Sequence, residues 1–382
     1  MNKKEVLEIR KQFSPSNCAI TRICGCYVDH EKEKKCEEKS AFLSLPEEET
    51  FKYFDIFKKA LSGTPGKNLL NMEFPLVQEE PDGTQAFLLK LRDSKLEDDM
   101  LISEFYDKII EGFEYAENYY IILIHANYDV PGKANDGEKM FDASDTVYEH
   151  ILCCICPVKL SKAGLSYISE KNHIGDRIRD WVVDMPVKGF LFPAFNDRNS
   201  DIHQVLYYSK EPEDIQPVFI DQVLGTHMPL TADTQRDSFH MVVADTLGDA
   251  CGYEVIKNLH ENLQEMLEEH KEDPEPLELS RPDVRKLLEN SGAPQDKMKF
   301  FEKEYEAAVG EKQSLLASNL TDTKKFNIET PNVIVKVKPD RTDLIETRVI
   351  DGRTCLVIQI DDYLEVNGVN VKTFINEDSA EE

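Results

Sequence analysis

The sequence predicts an α+β protein: a mixed or mainly antiparallel sheet with packed helices, a helical middle segment and a C-terminal antiparallel β-meander. Three observations carry this reading. Phe51, Phe54, Phe57 and Leu61 recur at helical spacing, which places one apolar face on a helix. "NYYIILIHANYD" (118–129) is almost continuously apolar, as a strand covered on both sides should be. Near the carboxyl end the apolar period drops to two. There Asp351-Gly352 and Asn367-Gly368 supply the two positive-φ positions of a type I′ hairpin turn.

The elements follow in order. A short helix over 3–13 is expected to stop at "SPSN", and a strand over 19–29 follows. "HEKEKKCEEKS" reads as a solvated connector. Ser44 with Glu47 has the spacing of a capping box, as has Ser94 with Glu97, so a helix is expected behind each. Gly63, Pro65 and Gly66 end the first. The second carries Leu101, Phe105, Ile109 and Phe113 on one face. "TQAFLLKLR" (84–92) and the stretch around 147–160 read as strands, and "DVPGKANDGEK" as a polar loop. "GFLFPAF" and "DIHQVLYYS", separated by "NDRNSD", predict a hairpin with a six-residue loop. Pro193 makes its first arm an edge or bulged strand.

From 214 the pattern turns helical. "IQPVFIDQVLG" ends at Gly225 and "TADTQRDSFHMVVADTLG" at Gly248. "YEVIKNLHENLQEMLEEH" sets Ile256, Leu259, Leu263 and Met266 in a stripe of about two heptads, too short for a coiled coil. Residues 271–283 form an acidic, proline-bearing linker, and short helices are expected at 282–291 and 294–309. "NVIVKVK", "DLIETRVI", "RTCLVIQI" and "YLEVNGVNVK" are the meander strands. The organisation is therefore a sheet region (1–213), a helical region (214–322), the meander (323–375) and an acidic tail (376–382).

Charge and cysteine usage narrow the function classes. Among 382 residues, 73 Asp and Glu oppose 45 Lys and Arg, giving a formal charge of −28. Such a field repels polyanions at long range. It excludes a coat-like grip on DNA or on an anionic membrane but leaves room for a local basic groove. "MNKKEVLEIRKQF" has no apolar core of a secretory signal, and no apolar run approaches the 18 or so residues that span a bilayer. The nine cysteines are an odd count in a long chain, which reads as reduced thiols in the cytoplasm.

Cys24 and Cys26, like Cys154 and Cys156, are two residues apart inside apolar strand-like runs. Each pair shares a face of its strand, so four thiolates could in principle meet a zinc ion. The spacing opposes this. Residues two apart in a strand sit on the order of 7 Å apart, against roughly 3.8 Å for the edge of a tetrahedral zinc–sulfur site. Core packing is the expectation, and no metal site or cofactor is assigned.

His125 reads as a satisfied core histidine, and His203 beside Asp201 as a general base without an evident nucleophile. No G-x-S-x-G elbow, phosphate-binding loop or dinucleotide fingerprint occurs, so no catalytic residue is assigned. One stretch runs against the global charge. Arg177, Arg179, Lys188 and Arg198 are interleaved with Trp181, Phe190, Phe192 and Phe195. Cations among aromatics can hold single-stranded nucleic acid by pairing phosphates and stacking bases. Asp176, Asp180, Asp184 and Asp197 lie in the same stretch and offset that field.

"NCAITRICGCYVD", "GFLFPAFNDRNSDIHQVLYYS" and "ETPNVIVKVKPDRTDLIETRVIDGRTCLVIQID" resemble an uncharacterised bacterial domain-of-unknown-function family typical of anaerobic Gram-positive bacteria. That likeness implies a cytoplasmic protein and brings no activity. The order "FIDQVLG", "TADTQRDSFHMVV" and an "EVNGV" strand is remotely similar to the bacterial nucleoid-associated protein family, and no binding residue follows from it.

The expectation is a cytoplasmic, non-enzymatic binding protein acting on nucleic acid or the nucleoid through Arg177, Arg179, Lys188 and Arg198. Its rivals are an enzyme with an active site outside the known motifs, and an assembly protein docking through the amphipathic helix at 253–270. The partner classes left open are nucleic acid and a second copy of the chain; a membrane is not among them.

Overall fold

The computed structural model describes residues 1–133, 139–140, 146–310, 313–360 and 363–371. The acidic tail at 376–382 and residues 134–138 of the "DVPGKANDGEK" loop lie outside them. The chain divides into two compact units. One is Met1–Gln235 with Asp273–Pro276, the other Arg236–Glu272 with Leu277–Glu382.

The first unit is built on one large antiparallel sheet. Its strands are β1 (Ile20–Val28), β2 (Lys34–Ala41), β3 (Leu69–Glu73), β4 (Tyr119–Val130) and β5 (Thr146–Leu160). Then come β6 (Leu165–Ile168), β7 (His173–Asp176), β8 (Trp181–Val183), β9 (Lys188–Phe192), β10 (Ala194–Asn196), β11 (Asn199–Asp201) and β12 (Gln204–Ser209). The sheet order is β2-β1-β4-β5-β9-β12-β3, with β8 added to the far end of β5. Strands β4, β5 and β9 are interior and apolar on both faces, as the continuous run in β4 predicts. Helices α1 (Lys3–Arg10) and α2 (Glu47–Ala60) put Val6, Ile9, Phe54 and Phe57 against one face. Helices α3 (Thr84–Asp93) and α4 (Asp99–Gly112) put Leu88, Leu91, Phe105 and Ile109 against the other. The α+β class and the antiparallel sheet are as the sequence predicts.

Several local readings are corrected. "TQAFLLKLR" is helix α3, not a strand. Its Ala, Leu, Lys, Arg and Gln are strong helix formers, and only Gln85, Leu88 and Leu91 are buried, one side of a helix. Ser94 ends α3 and donates to the Leu91 carbonyl at 2.7 Å. Asp98 instead caps α4, accepting from the N–H groups of Met100 and Leu101. Ser44 donates to the Ala41 carbonyl, and α2 starts after Pro46 without a side-chain cap. Glu47, Glu48 and Glu49 meet the positive helix end there. The "solvated connector" contains β2, an edge strand whose lysines and glutamates discourage pairing with other chains.

The expected hairpin is β9–β12, but its six-residue loop is itself a ladder. Only Asp197 and Arg198 turn, both at positive φ (49° and 58°). Strand β9 pairs on both sides, so it is not an edge strand. Pro193 follows its last paired residue, where the missing N–H costs no ladder bond.

The second unit holds most of helix α5 (Ala232–Leu247), then α6 (Tyr253–Glu269), α7 (Arg281–Asn290) and α8 (Phe301–Ala308). In α6, Leu259 and Leu263 are 1% and 0% exposed. The apolar stripe offered as a docking face is spent on the unit's own core, beside Val284, Leu287 and Leu288 of α7. The carboxyl end forms three two-stranded hairpins: β13 (Phe326–Thr330) with β14 (Val333–Val337), β15 (Ile345–Ile350) with β16 (Arg353–Ile358), and β17 (Leu364–Val366) with β18 (Val369–Val371). Asp351-Gly352 and Asn367-Gly368 make the two tight turns at positive φ. Among the described residues, each strand pairs only within its own hairpin, and no helix is long and apolar enough to cross a membrane.

Candidate functional site

Strand register answers the cysteine question. Across β1, β4 and β5, Cys24 lines up with Leu123 and Cys153, whereas Gly25 lines up with Ile122 and Cys154. Cys24, Cys26 and Cys153 therefore face α3 and α4, while Cys154 and Cys156 face α1 and α2. The sheet itself separates the two pairs, so their four sulfurs have no common point. Burial pushes the Cys24 thiol up to about 11 and Cys26 up to about 12. It holds Cys153, Cys154 and Cys156 well above the usual thiol range. Thiolate is the reactive form. A thiol-titrating disulfide reagent at neutral pH is thus expected to label exposed Cys36 and Cys251 first. The five buried cysteines should react only on unfolding; rapid labelling of Cys154 would contradict this packing.

The four cations singled out in the sequence do not form one groove. Lys188 opens β9 and is 2% exposed. Its ammonium donates to Ser209 Oγ at 2.9 Å, to an Asp214 carboxylate oxygen at 3.0 Å and to the Asp214 carbonyl. Burial lowers its pKa and Asp214 opposes that shift. Arg198, at the other end of the hairpin, donates through Nε and Nη2 to the Glu8 carboxylate at 3.3 and 3.0 Å, and to the Pro131 carbonyl at 3.0 Å. Both side chains tie loops to the sheet and present no free charge. Phe190, Phe192 and Phe195 are buried in the core.

Arg177 and Arg179 remain, together with Trp181, on a separate projecting element. Strand β5 outruns its neighbours: it pairs with β4 as far as Pro157 and with β9 as far as Ile155. Its last three residues, 158–160, pair only with β8. Beyond them the chain makes the β6–β7 hairpin and returns. Ser161 ties the base of this arm together: its N–H donates to the Asp180 carbonyl, and its own carbonyl accepts from Arg179 Nε at 2.8 Å. In the hairpin Tyr167 stands opposite Ile174, and its hydroxyl donates to Asn172 in the turn.

The arm exposes several large apolar side chains among its charged ones. Leu165, Ile178 and Trp181 are 76%, 82% and 58% exposed, and Tyr167, Ile174, Val182, Val183 and Met185 are exposed with them. Its charge is close to balanced: residues 159–186 hold five Lys or Arg and four Asp or Glu. The sequence pattern found Arg177, Arg179 and Trp181. It missed the exposure of the aliphatic residues, because which side of a short strand is covered depends on what packs on it.

The histidines divide similarly. His203 is exposed and shares a 2.8 Å contact with Glu79, while Asp201 accepts from its backbone N–H. His125 is fully buried with both ring nitrogens engaged, by Thr21 and Glu149.

A model of a domain of unknown function, DUF4317, matches residues 1–369. The chain belongs to this family. No curated protein matches it. The DUF4317 match agrees with the uncharacterised family that the sequence resembles. It lends no support to the nucleoid-associated likeness or to an anaerobic Gram-positive niche.

Proposed function

We propose that this DUF4317 protein is a binding protein that pairs with a second copy of itself through the β6–β8 arm. The observation that carries this is the concentration of eight exposed large apolar side chains within residues 165–185. Contiguous apolar patches of more than a few hundred Å² are rare on free-standing soluble chains and mark contact surfaces.

Charge points to the partner. A body at −28 repels a second such body, but the nearly neutral arm lets two copies meet without a like-charge penalty there. Among the described residues β8 has a ladder neighbour on one side only. Two copies can extend the ladder antiparallel about a two-fold axis, and such a self-complementary pairing closes without forming a fibre. Nucleic acid is the lesser fit: only Arg177 and Arg179 of the four proposed cations are on the arm, and Asp176 and Asp180 adjoin them.

Sedimentation velocity on the full chain over a range of concentrations tests the reading. A reversible dimer is expected, shifted to monomer at least tenfold in dissociation constant by Ile178→Asp with Trp181→Asp. A chain that stays monomeric at all concentrations, yet binds single-stranded oligonucleotide in a salt-sensitive way, would move the function to nucleic acid.

A further inference from the structure

The pairing of β1 with β4 slips by one residue near its start. Ile20 stands opposite Ala126 and Arg22 opposite His125, so Thr21 is the extra residue of a β-bulge. Bulges re-aim side chains and are frequent beside active sites. Here the bulge brings the Thr21 hydroxyl to 2.7 Å from Nδ1 of His125. The same hydroxyl also reaches the His125 carbonyl at 3.2 Å. On the next strand, β5, a carboxylate oxygen of Glu149 lies 2.8 Å from Nε2 of His125. The imidazole is 0% exposed, the Glu149 side chain 32%, and Thr21 faces solvent.

These contacts suit one proton arrangement. With the ring proton on Nε2 donated to Glu149, the Nδ1 lone pair is left to accept from Thr21. Burial keeps the imidazole neutral at ordinary pH, Lys95 and Arg92 act in the same direction, and Glu149 opposes them. A solvent-facing hydroxyl, a neutral base within hydrogen-bond reach and a carboxylate orienting that base are the parts of an activated nucleophile. The three residues come from three adjacent strands, so the geometry is rigid.

We infer that Thr21, His125 and Glu149 form a nucleophile–base–carboxylate relay that hydrolyses a small ester or thioester. This goes beyond the binding function and does not depend on it. In the first step Thr21 Oγ1 bonds to the acyl carbon and its proton passes to His125 Nδ1. The bond from carbon to the leaving oxygen or sulfur breaks, and the leaving group takes that proton. Water then attacks the acyl-threonine and gives a proton to Nδ1. The Oγ1–carbon bond breaks and Oγ1 recovers the proton, leaving a carboxylic acid and an alcohol or thiol. Glu149 accepts from Nε2–H and holds the ring in place throughout.

The test uses p-nitrophenyl acetate and the full chain. The wild type is expected to release nitrophenolate and to carry an acetyl group on the peptide containing residue 21. Thr21→Ser should retain both. Thr21→Ala, at an exposed position that leaves folding intact, should lose the acetyl group. Glu149→Gln should slow acylation by about a hundredfold or more, in the range of general-base effects, and alter its pH profile. A wild-type chain with no acetyl at residue 21, or a Thr21→Ala chain that hydrolyses the ester as fast, overturns the proposal and leaves the trio as a clamp between strands.

Discussion

Acidification from pH 7 to pH 5 is expected to cost the wild-type protein about 2 kcal/mol of stability through His150 alone. His150 lies on β5, 1% exposed, stacked on Tyr148 with ring centroids 4.5 Å apart. Among the described residues its Nε2 is buried without a hydrogen-bond partner, and Nδ1 makes a 3.4 Å contact with the Tyr148 carbonyl. Burial lowers its pKa to about 3, with the charge of His125 acting in the same direction and the Tyr148 carbonyl opposing. In the unfolded chain a histidine titrates near 6.5. Between those values the unfolded state holds a proton that the folded state refuses. Stability therefore falls as pH falls from about 6.5 toward about 3, at roughly 1.4 kcal/mol per pH unit, and this loss is absent above 7. His125, also lowered by burial, adds to the slope.

His150→Phe should flatten that dependence. The ring keeps its stacking partner and the unpaired nitrogen disappears, which removes a desolvation cost. Urea denaturation of both proteins at pH 7 and pH 5 checks it. The variant should gain about 2 kcal/mol over the wild type on going to pH 5. Equal pH slopes would mean that His150 is hydrated or partnered in the folded state.

Gly189→Ala is expected to destabilise the first unit by about 2–4 kcal/mol, or to prevent soluble expression. Gly189 sits in β9 between β5 and β12. A Cβ there meets the Cys153 carbonyl oxygen at 2.6 Å, with Ala60 and the Cys154 backbone at 3.6 Å. The oxygen belongs to the central ladder, so relief requires bending a strand that is paired on both sides. Gly164→Ala is the matched control: a Cβ at that position meets nothing within 4 Å, so the melting temperature should hardly move. Thermal unfolding of the two variants separates sheet crowding from loss of glycine as such. A Gly189→Ala protein that melts like the wild type would remove β9 from the middle of the sheet.

The long periodic elements were legible because one face decides them. Phe54 and Phe57 in α2, Phe105 and Ile109 in α4, and the continuous apolar run of β4 are buried as their spacing predicts. The two Asx-Gly hairpin turns were equally plain, since few residues tolerate consecutive positive φ. Helix α3 differs from its sequence expectation because a short apolar run suits both states, and burial of Leu88 and Leu91 on one side distinguishes them. Strand β2 carries no apolar alternation to announce it, because an edge strand can be mostly charged and polar.

The sites were less legible, for a geometric reason. Lys188 and Arg198 resemble free cations until their partners are known, and Asp214 and Glu8 lie 26 and 190 residues away. Thr21 meets His125 across 104 residues, and only through a bulge that no local pattern announces. Cysteine pairs separated by two residues share a face of their own strand, but register alone decides whether two such strands present them to the same side.

Hydrogen–deuterium exchange of the peptide spanning Trp181–Val183, read at dilute and at high protein concentration, tests the role of the arm most directly. Added protection of that edge strand with rising concentration, and its loss in the Ile178→Asp, Trp181→Asp double variant, is the expected result. Exchange at β8 that is equally fast at every concentration would contradict it.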